Sequence, residues 1–283
     1  MTDILLDAAL DCVKLLPFLF LTYLAMEYME HKMGEKSKNM IRRSGKWGPF
    51  FGGLLGAVPQ CGFSAAASNL YAGRVITVGT LVAVYLSTSD EMLPIFLASA
   101  APVSLIAKTL FLKVVIGIAG GFLVDSLIHR EPVKMNIHAV CHQDHCHCEC
   151  DPRLVRSALR HTVSIAAFVF AVTLVLNGVI ALCGEGQLAA LILNRPVAGE
   201  FLAGLIGLIP NCAASVVLTT LYLEGGMSFG AMMAGLLVGA GVGLLVLYKE
   251  NGRHPAENLR ITVILYLLGV GAGILTGLAE NIL

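Results

Sequence analysis

Six apolar blocks, near residues 12–30, 75–98, 105–128, 161–183, 227–248 and 259–281, are each long enough to cross a bilayer as a single helix. A hydrocarbon core of about 30 Å takes about 20 helical residues at 1.5 Å each. Charged residues make up only 13% of the chain, against about 25% in soluble domains, so there is too little polar surface for a soluble fold of this length. Soluble-enzyme readings are excluded, and the lipid bilayer is the expected surrounding. A net charge of zero leaves no case for nucleic acid as a partner. Asp3, Asp7 and Asp11 stand where a cleavable signal would be basic, and residues 15–25 lack a small-residue cleavage site. The first block is therefore expected to stay as a span.

Two further apolar segments, 48–73 and 197–223, are of another kind. Each is broken at its middle by Pro-x-Cys, at Pro59-Gln60-Cys61 and Pro210-Asn211-Cys212. An offset of 151 residues places one motif on the other. At the same offset Gly53 falls on Gly204, Gly56 on Gly207, Ser64 on Ser215, Tyr71 on Tyr222 and Gly79 on Gly230. Leu and Ala matches mean little in this composition, but Gly, Ser and Tyr matches mark an internal duplication.

The basic residues say how the two copies sit. If each broken segment enters and leaves on one side, as a re-entrant hairpin, each copy has three spans plus a hairpin and the copies are inverted. Lys32, Lys36, Lys38, Arg42, Arg43, Lys46, Arg74, Arg130, Lys134, Arg153, Arg156, Arg160, Lys249, Arg253 and Arg260 then share one face. That is fifteen of the nineteen Lys and Arg, the bias expected of a cytoplasmic side. The fold class read from the sequence is thus all-α integral membrane with two inverted-topology repeats, each three spans plus a Pro-broken re-entrant hairpin, about ten membrane segments in all. The first repeat covers 1–130, a cytoplasmic loop 131–157 and the second repeat 158–283, with the N-terminus external to a plasma (cell inner) membrane. Broken, inverted repeats are a common design among secondary transporters.

The hairpin tips are the candidate binding site. Proline in mid-membrane frees backbone carbonyls, which is tolerated only where protein or a watery cavity meets them. A new half-helix then starts with free N–H groups. Gln60, Cys61 and Ser64 stand at one start and Asn211, Cys212 and Ser215 at the other; if the copies are inverted, the two tips meet near the centre. A lone Pro and Cys would be an ordinary kink and a buried filler, but the matched pair with polar neighbours points to substrate binding. A second feature is Asp90-Glu91, late in the 75–98 span. Adjacent carboxylates cost about 2.5–3.5 kcal/mol each at the bilayer centre, so the alternatives are a cavity, a bound cation, protonation of one partner or a watery interface. The matching positions are Gly241 and Val242, which makes the pair a candidate for coupling or gating.

Between the copies, His138, Cys141, His142, His145, Cys146, His147, Cys148 and Cys150 crowd into thirteen residues. Imidazoles and thiolates together suit zinc, copper and other soft or borderline metals. This tract is read as a metal-binding loop outside the transport path, fit to capture, sense or deliver metal. The Gly rows 235/239/243 and 269/273/277 suit close helix packing; with no preceding strand, Gly269-x-Gly271-x-Gly273 is not a dinucleotide fingerprint.

With the two Pro-x-Cys motifs, the Ser87-Thr88-Ser89-Asp90-Glu91 stretch and the His/Cys tract in view, the chain resembles the ten-transmembrane heavy-metal exporter family over nearly its whole length. That resemblance implies efflux, and a cargo among arsenicals and transition metals such as manganese or zinc. No nucleotide-binding signature is present, so a proton or ion gradient is the expected driving partner; no resident cofactor is required, and a homo-oligomer is compatible with the sequence. Cargo chemistry stays open: thiols suit trivalent arsenic or soft metals, oxygens suit manganese. A membrane thiol oxidoreductase using Cys61 and Cys212 is one alternative, with no membrane Cys-x-x-Cys and no quinone or haem motif behind it; a metal sensor built on the loop is another, which deletion of 138–150 separates from transport.

Overall fold

The computed structural model describes residues 45–59, 61–89, 92–128 and 198–282, with scattered helical positions inside 13–24 and 159–174, the longest run being 166–171. The expected spans at 12–30 and 161–183 and the loop 131–157 lie largely or wholly outside the described residues.

Ten helices carry the described part. In the first half they are α1 (Gly48–Gly56), α2 (Cys61–Ala72), α3 (Val78–Ser87), α4 (Met92–Ala98) and α5 (Val103–Leu127). In the second they are α6 (Ala198–Gly207), α7 (Cys212–Leu223), α8 (Phe229–Val238), α9 (Gly243–Glu250) and α10 (Pro255–Ile282). The offset of 151 read from the matched motifs carries α2 and α3 onto α7 and α8 residue for residue. The other three pairs agree to within a few residues at each end.

Both Pro-x-Cys segments are broken where the motif stands, between α1 and α2 and between α6 and α7. Two of the expected single spans are broken as well. The 75–98 span stops at Ser87 and restarts at Met92, and the 227–248 span stops at Val238 and restarts at Gly243. In the first, Ser87 and Thr88 hydroxyls back-bond to Ala83 and Val84 carbonyls, which competes with continuing the helix. In the second, Gly241 turns with φ +52°, a conformation that glycine adopts freely.

Each half is assembled on its third helix. Hydroxyl N-caps start α3 and α8 at matching positions: Thr77 Oγ1 accepts from Thr80 N, and Ser228 Oγ from Ala231 N. Both helices are buried along almost their full length. α1 turns Pro49, Gly52, Gly53 and Gly56 inward and leaves Phe50, Phe51, Leu54 and Leu55 outside, small residues toward protein and large apolar ones toward lipid. Small residues bring backbones close: a methyl group at Gly52 would sit 3.0 Å from the Thr80 carbonyl, and one at Gly56 3.2 Å from Val84 Cα, so α1 and α3 run side by side in the same direction. A methyl at Gly121 would lie 2.6 Å from the Gly79 carbonyl and one at Gly117 2.9 Å from that of Ala83, so α5 runs antiparallel to α3. The second half repeats this arrangement. Gly230 faces Gly277 and Gly269 faces Val238, placing α10 antiparallel to α8.

The long helices α5 and α10, 25 and 28 residues, reach about 37 and 42 Å at 1.5 Å per residue. They also run antiparallel to each other. Lys108 of α5 pairs with Glu280 of α10 at 3.2 Å, and a methyl at Gly120 would come within 3.6 Å of Leu268. At the opposite end, the Arg74 guanidinium holds both Glu257 oxygens, Nη2 to Oε2 at 2.8 Å, and Tyr71 also donates to that carboxylate. Between these ends, α2 packs on α9 and α7 on α4, so the helix after each Pro-x-Cys break lies against the other half's interrupted helix.

Candidate functional site

The second Pro-x-Cys break opens onto a small internal cavity, its free volume holding about one water molecule. Asn211 is the N-cap of α7; its Oδ1 accepts from Ala213 N at 3.3 Å, and the side chain is 4% exposed. Ser215 stands one turn further on. Across from them lies the break of the first half: Thr88, the C-cap of α3, and Met92, the start of α4. Gly239 and Gly241, from the break in the second half, complete the wall with Leu236 and Lys113. The cavity thus gathers three interruptions of membrane helices, where free backbone groups are available to a solute.

The place related to it by the repeat is closed. Ser64 of α2 packs on Gly243, where an added methyl would lie 2.8 Å from Ser64 Cβ and 2.9 Å from the Tyr85 ring. Ser68 Oγ donates to the Gly243 carbonyl at 2.7 Å, and Tyr85 OH reaches the same oxygen at 3.1 Å. At the repeat-related place stand Thr219 for Ser68, Leu236 for Tyr85 and, from the first half, Met92 for Gly243. The tyrosine that plugs the first place is missing from the second, and the cavity lies there.

Of the residues singled out from the sequence, Asn211 and Ser215 come together in the cavity, and Ser64 lies in the closed place. Cys61 and Cys212 begin α2 and α7; their side chains, and Gln60, Asp90 and Glu91, lie outside the described residues. So do all eight His and Cys of the 138–150 tract. Helices α2 and α7 pack on the opposite halves' α9 and α4 rather than broadly on each other. Among the described residues no group of three or more His, Cys, Asp and Glu comes together.

Sequence reasoning missed Lys113. It is 1% exposed on α5, lines the cavity, and its Nζ donates to the Leu236 carbonyl at 2.5 Å. The signal was available, since a basic residue inside an apolar span is costly and usually faces the bundle interior. Counting charges by loop passes over it.

Among the described residues four helical stretches are long and apolar enough to cross a membrane, the long helices α5 and α10 and the interrupted pairs α3 with α4 and α8 with α9, and with the cavity at their breaks they define the class as a polytopic membrane protein of transporter type. Residues 2–164 and 153–283 match a family model described as "Putative, 10TM heavy-metal exporter". The chain belongs to that family, a transporter family and not an enzyme family. No curated protein and no solved structure matches.

Proposed function

We propose that this protein is a secondary-active exporter that carries a heavy-metal cation or a metalloid out of the cell, binding it in the cavity between the two halves. The observation that carries this reading is the convergence of three interrupted helices, marked by Asn211 with Ser215, by Thr88 and by Gly239 with Gly241, the construction by which many secondary transporters hold a solute at mid-membrane.

The finer topology is part of the proposal. A re-entrant hairpin is supported by α1 and α3 starting at one level and running the same way, with only residues 73–77 joining α2 to α3. Five residues span at most about 18 Å fully extended, too short a return if α2 went on across the membrane. Inversion of the halves is supported by their equivalent long helices, α5 and α10, running antiparallel. On this topology the face bearing Arg74 and the 138–150 tract is cytoplasmic, the membrane is the plasma membrane, and the tract receives metal before transport. Cys61 and Cys212 at the half-helix starts, with Gln60, offer soft ligands, and Asp90 with Glu91 cation contact or proton coupling. A proton or ion gradient supplies the energy.

The test is growth protection. Cells expressing the chain are challenged with manganese, zinc, copper and arsenite in parallel with cells expressing Asn211→Leu, which fills the cavity. Protection against at least one of them, lost in Asn211→Leu at equal membrane abundance, is expected. Equal protection by both chains would remove the cavity from the transport path.

A further inference from the structure

Arg74 holds a backbone conformation that the other half gives to glycine. α2 and α7 end in the same turn at the same repeat position: Arg74 N donates to Tyr71 O and Val75 N to Leu70 O, while Gly225 N donates to Tyr222 O and Gly226 N to Leu221 O. The residue after each helix is left-handed, with φ +75° at Gly225 and φ +56° at Arg74. Glycine takes that conformation freely, whereas a residue with a Cβ is strained in it. A basic group could serve the helix end from the last turn of α2 without the strain. What the strained position gives is reach to the other half. Its guanidinium holds both oxygens of Glu257, in the first turn of α10, and Tyr71 donates to the same carboxylate.

That contact closes one end of a row of hydroxyls. Ser64, Ser68 and Tyr71 recur at helical spacing on α2, all three buried, and lead from the Pro-x-Cys break to Arg74. Midway, Ser68 donates to the carbonyl of Gly243, two residues on from Gly241 of the cavity wall, and meets Tyr85 OH at 2.7 Å. The repeat sets Ser215, Thr219 and Tyr222 in the same row on α7. This second row leads from the cavity, which Ser215 lines, to the opposite end of the molecule. There Tyr222 packs on Phe229, and Lys108 lies over that ring and pairs with Glu280. Glu257 and Glu280 stand about 34 Å apart along α10. The two rows differ in how they are shut. The first is hydrogen-bonded at its middle and ends in a two-pronged, half-buried ion pair. In the second, Thr219 Oγ1 is buried with no hydrogen-bond partner among the described residues, and the closing ion pair is single and exposed.

We propose that the two hydroxyl rows are the solute's two access routes, the α2 row from the cytoplasm and the α7 row to the outside, and that Arg74 with Tyr71 and Glu257 is the latch of the inner route. This rests on the reading of the cavity as the transport site and adds the way in, the way out and the inner gate. The structure is shut at both ends, more firmly at the Arg74 end. Release of Glu257 lets α2 part from α9 and bares the hydroxyls from Tyr71 to Ser64. Closing the latch again, with the weaker Lys108–Glu280 pair giving way, opens the α7 row to the other face. The two routes open in turn because α10 carries one partner of each pair.

Access is read with a small charged thiol reagent that does not cross lipid, applied to either face of membrane vesicles holding the full chain. Labelling at an introduced cysteine is followed by mass spectrometry, with Ser68→Cys reporting the first row and Thr219→Cys the second. Arg74→Gly removes the guanidinium and gives the turn the residue that its left-handed conformation suits, so the fold is kept. The labelling rate follows the fraction of molecules open at that face, so with Arg74→Gly, Ser68→Cys is expected to label from the Arg74 face about tenfold faster or more. Thr219→Cys is expected to label more slowly from the other face, because the protein now dwells open at the first. Glu257→Gln is expected to act in the same directions more weakly. An unchanged rate at Ser68→Cys, whatever the unfolding temperature does, leaves Arg74–Glu257 a plain tie and overturns the latch. Faster labelling at both positions is a loosening of the whole fold and overturns it as well. Flux in Asn211→Leu separates this from the cavity reading. If Asn211→Leu loses flux while Arg74→Gly leaves both labelling rates unchanged, only the routes and the latch fall; full flux in Asn211→Leu overturns the cavity itself.

Discussion

Asn211 serves the fold and the cavity with one side chain. As N-cap of α7 its Oδ1 satisfies Ala213 N, and it is buried in the cavity wall. The two roles separate by substitution. Asn211→Ala removes the cap and is expected to cost about 0.5–2 kcal/mol of stability, whereas Asn211→Ser keeps a capping oxygen and stays close to the parent. Thermal unfolding in detergent reads that difference, and a transport defect in Asn211→Ser without loss of Tm assigns the asparagine to solute contact. For the thiols, Cys61→Ser and Cys212→Ser are expected to couple by about 0.5–3 kcal/mol in a double-mutant cycle of solute affinity if both reach one solute. Mild, additive effects would move the site toward its oxygens. At this scale the sequence was half legible. Asn211 and Ser215 were found because proline marks the helix restart that they follow. Lys113 was not, because its meaning depends on a carbonyl 123 positions away that only the interruption of α8 sets free.

Helix packing depends on where glycine lets two backbones touch. On α10, Gly273 lies against Ala234 of α8, with backbone atoms 2.7 and 2.8 Å from where a methyl would stand, while Gly271 has open space at the same point. Gly273→Ala is therefore expected to destabilise by about 1–3 kcal/mol through overpacking. Gly271→Ala is expected to be neutral or to stabilise by up to about 1 kcal/mol through helix propensity. Unfolding midpoints of the two variants check the opposite signs. The four-residue Gly spacing announced this seam, and the two prolines announced the helix breaks at the Pro-x-Cys motifs, because both signals are local. The breaks after Ser87 and Val238 were not legible. Neither has a proline, and hydroxyl back-bonding in one and the positive φ of Gly241 in the other interrupt a helix only when tertiary contacts take up the freed groups.

The molecule as a whole is one element order used twice, with the halves tied at opposite ends by Arg74–Glu257 and Lys108–Glu280. The first tie is two-pronged and half-buried, so Arg74→Ala and Glu257→Ala are expected to couple by about 1 kcal/mol or less in stability, measured by a double-mutant cycle. The duplication was fully legible, because matched Gly, Ser and Tyr at a fixed offset survive where general hydrophobicity says nothing. The proposed inversion was read from the sequence only through loop charge, and single-cysteine labelling tests it: positions 36, 145 and 252 are expected on one face and 190 and 224 on the other. The central claim, gradient-driven export through the cavity, has a more direct test. The full chain is reconstituted in proteoliposomes, a proton gradient is imposed, and movement of manganese, zinc and arsenite is followed with and without the Asn211→Leu substitution. The account predicts gradient-dependent movement of at least one of these solutes by the parent chain and at least a tenfold loss in Asn211→Leu; movement that ignores both the gradient and the filled cavity would contradict it.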